Sequence, residues 1–149
     1  MKCISLATVL LLLTPTFALA QSNPAERTLF QSVNRERKGH NLNALRWDES
    51  LATAARKHAH EMAKRGAVEH TFPGEPSLPA RANKAGARFI SISENVVRAA
   101  NARSAHTQFM NSPNHKTNIL DSDINSIGIG AVEQGGELFV VEDFSRAKK

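Results

Sequence analysis

The chain has 149 residues, 41% of them hydrophobic and 5% aromatic, with a formal net charge of +5 and a single cysteine. One cysteine excludes a disulfide framework, and with no tyrosine and few other rings the chain lacks the usual stacking platform for single-stranded nucleic acid. The charges are interspersed, which fits solubility and weak attraction to anionic surfaces and argues against nucleic-acid binding.

Residues 1–20 read as a signal peptide. Lys2 supplies a short positive region, Ile4 to Leu13 an apolar stretch too short to span a bilayer, and Ala18-Leu19-Ala20 the small-residue ending that signal peptidase cuts. Cleavage after Ala20 is expected, with a retained N-terminal anchor as the alternative. The mature domain, 21–149, then lies outside the cytoplasm, secreted or periplasmic, with no stable membrane insertion once the signal is gone. Cys3 leaves with the signal, so the mature domain carries no thiol. Of 19 basic residues, 18 remain after loss of Lys2, against 14 acidic ones, a net charge of +4. No repeat or long linker follows, so a single domain and a monomer are expected, with a core of ordinary proportions. The short basic run Arg35 to Lys38 reads as a solvated face.

A first helix is expected from Pro24, with Asn23 as its cap, to about Lys38, ending at Gly39 and burying Leu29, Phe30 and Val33. Leu42, Leu45 and Trp47 lead to a second helix capped by Asp48 and stopped at Gly66. Its stripe of Leu51, Ala55, His58 and Met62 is expected to pack on the first helix. After the breakers Pro73, Gly74 and Pro76, a short helix spans about Pro79 to Ala85. From Phe89 to Val97 strand-like alternation puts Ile90, Ile92, Glu94 and Val96 on one face and Ser91, Ser93, Asn95 and Val97 on the other. A helix over roughly Ala102 to Asn111 follows, then a short one in which Ser112, Pro113, Asn114 and His115 take the cap and first-turn positions. Runs at Ser126 to Val132 and Glu137 to Phe144, joined through Gly135-Gly136, form a terminal hairpin. Helices first, one strand in the middle and a closing hairpin suggest an α+β domain with helices covering an antiparallel sheet.

Six histidines have to be sorted. His58 and His60, in Lys57-His58-Ala59-His60-Glu61, superficially resemble a zincin helix, but residues two apart on a helix point about 200° apart and cannot share a metal. His58 reads as a packed core or boundary residue and His60 as exposed; His40 and His106 read as surface. His70 sits in a loop after the second helix, where the scaffold can aim it. His115 lies at a helix N-terminus, whose positive end disfavours the imidazolium and keeps the ring in the neutral, metal-binding form. Taken from spacing alone, His70, Glu94 and His115 can be functional or structural, and Glu94 can simply accept backbone hydrogen bonds.

A wider pattern joins these residues. Val33-Asn34-Arg35-Glu36-Arg37, Leu45-Arg46-Trp47-Asp48 and Leu51-Ala52-Thr53-Ala54-Ala55 resemble the opening helices of bacterial secreted CAP domains, the superfamily of cysteine-rich secretory, antigen 5 and pathogenesis-related proteins. Ser93-Glu94-Asn95-Val96 is similar to the family's Gly-Glu-Asn strand, and Phe109 to Leu120 to its most specific segment. Ile127-Gly128-Ile129-Gly130 and Val140-Val141-Glu142-Asp143-Phe144 are similar to its closing strands. The resemblance covers nearly all of the mature chain in order. It implies an α-β-α sandwich with a central antiparallel sheet between helical layers, and a cleft of two histidines and two glutamates that in several members holds a divalent ion such as zinc. His70, Glu94 and His115 fill three of those four places; the fourth falls at about Ser112 and is not acidic, and Ser93 replaces the glycine. His70 and His115 are then the metal ligands, and zinc or another divalent cation is expected to bind weakly, because zinc takes three protein ligands even in open sites.

Two functions follow. The first is a binding module whose cleft holds a small-molecule or lipid ligand, as the family's eukaryotic members imply. The second is a metal-dependent hydrolase with Glu94 as general base. Binding is favoured, since no activated nucleophile or complete zinc set is present; a purely structural triad is the third reading.

Overall fold

A computed structural model describes residues 22–148. The expected signal peptide, residues 1–20, lies outside them. The elements, in chain order, are α1 (Pro24–Gly39), β1 (Arg46–Trp47), α2 (Glu49–Arg65), α3 (Leu78–Lys84), β2 (Phe89–Ala99), α4 (Ala102–Asn111), α5 (Pro113–Ile119), β3 (Ser126–Gln134) and β4 (Glu137–Ala147). Among the described residues no helix is long and apolar enough to cross a membrane.

Local chemistry explains the element ends. Asn23 and Glu26 form a reciprocal capping box at the start of α1. The Asp48 side chain accepts from the backbone N–H groups of Ser50 and Leu51 at 2.9 and 3.1 Å, and Gly66, at φ 63°, stops α2 in the left-handed conformation. The two-residue β3–β4 turn places Gly135 and Gly136 at φ 62° and 79°, the double positive φ that suits a tight hairpin.

The sheet has the order β1-β3-β4-β2. β3–β4 and β4–β2 are antiparallel, but the two-residue β1 pairs parallel to β3, so the sheet is mixed where an antiparallel one was expected. Strand β3 alternates in what it shows each layer. Ile127, Ile129 and Ala131 join the core built with α1 and α4, whereas Gly128 and Gly130 face the backbone of α2. Helices α1, α4 and α5 therefore cover one face of the sheet and α2, with α3, the other, giving the α-β-α sandwich.

This arrangement corrects the expected packing of α2 on α1. The two helices lie on opposite faces and are tied by an ion pair: the Arg56 guanidinium donates through Nε and Nη2 to the two carboxylate oxygens of Glu26, both at 2.9 Å. Arg37, expected on a solvated face, is also buried. It donates to the carbonyls of Asn43, Ile119 and Asp121 at 2.8, 2.8 and 2.7 Å, clasping the end of α5 to α1. Burial pushes its pKa down, against the charge of Asp121.

The alternation expected along β2 holds only from Ile92 onward. A bulge between Phe89 and Ser91 leaves Ile90 without a partner on β4, so Ile90 is 64% exposed while Phe89 and Ile92 pack together on the α2–α3 side.

Candidate functional site

Edge strand β2 carries two neighbouring polar residues to opposite faces of the sheet. Glu94 turns toward the α2–α3 layer and Asn95 toward α5. Their partners across the register on β4 are Asp143 and Glu142, again one for each face.

On the first face, Glu94 is the hub. Its Oε1 accepts from Nδ1 of His70 at 2.9 Å and its Oε2 from Nη2 of Arg81. Arg81 also donates to the carbonyls of His70 and Pro76, so this buried guanidinium holds both the carboxylate and the loop that carries the imidazole. The loop is secured a second time through His58, which is fully buried on α2. His58 Nε2 lies 2.8 Å from the Glu69 carbonyl and Nδ1 lies 2.6 Å from Glu75, whose second oxygen accepts from the Phe72 N–H. A carbonyl can only accept, so Nε2 carries a hydrogen, and a proton also sits between Nδ1 and Glu75. His58 therefore serves the fold by fastening the loop on which His70 stands.

His70 itself is open, its side chain 63% exposed. Hydrogen bonding to Glu94 raises its pKa, with burial opposing and the Glu94 charge assisting. With Nδ1–H directed at Glu94, a neutral ring presents the Nε2 lone pair outward, the tautomer that a carboxylate imposes on a ligating histidine.

Beneath Glu94, Asp143 is fully buried, and neither of its oxygens meets a hydrogen-bond donor among the described residues. Two carboxyl groups in contact coexist when one is protonated. Burial foremost, then the charge of Glu94, push the Asp143 pKa well above the carboxylate range against the opposing charge of Arg81.

The other face repeats the theme. Asn95 Nδ2 donates to the His115 carbonyl at 3.1 Å and to Glu142 Oε2 at 3.3 Å, while Asn118 donates to Asn95 Oδ1 at 2.9 Å. Glu142 is fully buried with Oε1 unpartnered among the described residues, and burial lifts its pKa to about 8. The His115 ring packs edge-on against Phe109 at 5.2 Å. Its pKa is lowered by burial first and by the charge of His70 second. The direction is the one expected for His115, but its cause is packing and a neighbouring imidazole. Ser112, the cap of α5, makes no side-chain capping bond.

His70 and Glu94 are thus in direct contact, and His115 stands within electrostatic reach of His70 from the other layer. Among the described residues no group of three or more His, Cys, Asp or Glu is placed to hold a metal ion. Both oxygens of Glu94 accept hydrogen bonds, one from His70 and one from Arg81. Two imidazoles fall short of a zinc shell. His106, read as a surface residue, is largely buried, 3.5 Å from Glu36, and burial lowers its pKa.

Sequence reasoning passed over Arg81, Asp143 and Glu142. The two acids did carry a signal: consecutive carboxyls inside the apolar run Leu138 to Phe144 must, by strand alternation, point into both layers. Arg81 carried none, being one basic residue in a short helix.

A family model described as the cysteine-rich secretory protein family, CAP, matches residues 30–144. The chain is 28% identical over 123 residues to the uncharacterized protein YkwD of Bacillus subtilis (strain 168), covering 82% of this chain and 48% of that protein. An extracellular protein containing an SCP domain from Bacillus anthracis str. Ames superposes with a TM-score of 0.78 at 26% identity, over 90% of this chain and 44% of that one. The chain thus spans about half the length of these two relatives. NaASP2, solved with Zn2+, shares the fold at 12% identity and a TM-score of 0.60, over 85% of this chain and 82% of that one. With a family match that runs from the first helix to the last strand of the sheet, the chain belongs to the CAP family of cysteine-rich secretory proteins.

Proposed function

We propose that this is an exported CAP domain that binds a ligand in the cleft formed by His70, Glu94 and His115. The observation that carries the reading is His70: an imidazole 63% exposed, yet fixed through Nδ1 by a buried carboxylate and through its own carbonyl by a buried arginine. Two buried hydrogen-bonding systems hold one solvent-facing donor–acceptor in place, which is the preorganisation a recognition group needs. Hydrolysis with Glu94 as general base is less well supported, because both Glu94 oxygens are already engaged. Lipids are the ligand class the family's eukaryotic members imply. For a divalent cation such as zinc, His70 Nε2 and His115 are the available protein donors, and binding is weak.

The test is histidine-selective NMR of the purified protein, titrated separately with zinc chloride and with a dispersed lysophospholipid. Zinc is expected to shift both rings with an affinity that falls as the medium is acidified and the imidazoles protonate, and to lose that affinity in His70→Ala or His115→Ala. The lipid is expected to shift the His70 ring saturably. Zinc binding that survives both substitutions removes the metal part, and a His70 ring indifferent to the lipid removes the lipid part.

A further inference from the structure

We propose a second, separate ligand site: the cleft between α2, the 73–76 turn and α3 binds a small organic anion through Lys57 and Lys84. The cleft has a volume of about 370 Å³, within the range that holds small molecules.

Its charge balance gives the sign of the ligand. Six ionisable side chains line it: Lys57, Glu61, Arg65, Glu75, Arg81 and Lys84. Four of them are already matched. Glu61 pairs with Arg65 at 3.1 Å, Glu75 is held by His58, and Arg81 is held by Glu94. Lys57 on α2 and Lys84 on α3 have no carboxylate partner among the described residues, and both are exposed. Two lysines therefore line one concavity from its two helical walls with no carboxylate partner of their own among the described residues. An anion entering there gains both, and the concavity screens it from water on several sides.

The rest of the lining gives the ligand's body. Ala54, Pro73, Pro76 and Ala85 present short apolar surfaces, and the stems of the two lysines extend them. Such a wall suits a compact apolar or aromatic body carrying a carboxylate or a phosphate. The walls are also firm: His58 and Glu75 fasten the turn to α2, and Arg81 Nη1 donates to the Pro76 carbonyl. Arg81 is shared with the His70–Glu94 site, so the two sites are neighbours, but anion binding here needs neither His70 nor any chemistry at it.

The test is amide NMR of the purified protein titrated with phenyl phosphate, benzoate, inorganic phosphate and benzyl alcohol. Phenyl phosphate or benzoate is expected to shift amides of both α2 and α3 saturably, and the tighter of the two identifies the head group. Inorganic phosphate, lacking the body, and benzyl alcohol, lacking the charge, are expected to bind more weakly. Lys57→Glu and Lys84→Glu are each expected to weaken binding about tenfold or more, the scale of one charge-assisted hydrogen bond. Lys38→Glu, at the far end of α1, is expected to leave it unchanged. Both lysines are exposed, so these variants keep the fold. No saturable shift on either wall, equal binding of benzyl alcohol, or indifference to both charge reversals overturns the proposal.

Discussion

Substituting Gly128 by alanine adds one methyl group where the sheet meets α2. A Cβ built there lies 2.0 Å from the Ala52 amide nitrogen and 2.3 Å from the Leu51 carbonyl carbon, where ordinary contact begins at 3.4 Å, so α2 must retreat by about 1.4 Å. The clash is with backbone, and no rotamer change relieves it. Overpacking of this kind costs about 3 kcal/mol, a large share of the roughly 5–15 kcal/mol that holds a domain folded. For a domain of this size the loss corresponds to a melting temperature lower by about 10 °C. The displacement also reaches the site, because α2 carries His58, which fastens the loop bearing His70. The assay is thermal denaturation followed by circular dichroism, with the His70 titration followed by NMR in the same variant. Gly39→Ala is the internal control: nothing lies within 4 Å of its added Cβ, and its expected effect is a gain of about 0.5 kcal/mol. A Gly128→Ala protein that melts with the parent and titrates with it would refute the close-packing argument.

The remaining predictions concern the carboxyl groups. Glu94→Gln removes the hydrogen-bonding and charge partner that raises the His70 pKa, so that pKa falls, as read by NMR. The same change leaves the buried Arg81 without its counter-charge and lowers stability by about 3 kcal/mol in urea denaturation; an unmoved His70 titration contradicts the assignment. Glu142 has a folded pKa of about 8 against a reference of 4.5, so the native state holds the proton that the unfolded state releases. Stability therefore declines as pH rises from 4.5 to about 8 and levels off beyond. Glu142→Gln removes this residue's share of the decline, the buried Asp143 keeping its own, and is expected to be more stable at pH 8 by about 4 kcal/mol; equal pH slopes in parent and variant contradict it.

The order of the five helices and the three long strands, several of their ends, and the candidate residues His70, Glu94 and His115 were legible in the sequence because they depend on neighbours along the chain; the two-residue β1, read only as a lead into the second helix, was not. Asn23 and Asp48 cap helices with their own side chains, Gly66 and the Gly135-Gly136 pair supply positive φ, and the family segments around Glu94 and His115 are contiguous. What depends on residues far apart in the chain was decided by tertiary structure. The sheet separates α1 from α2, because β3 offers bulky side chains to one layer and glycines to the other. A single bulge reversed Ile90 alone, since one extra residue shifts the alternation only on its own side. The engagement of Glu94 by both His70 and Arg81 joins a loop, a short helix and an edge strand. Hydrogen-bond saturation is a property of that assembled neighbourhood, and no spacing along the chain encodes it.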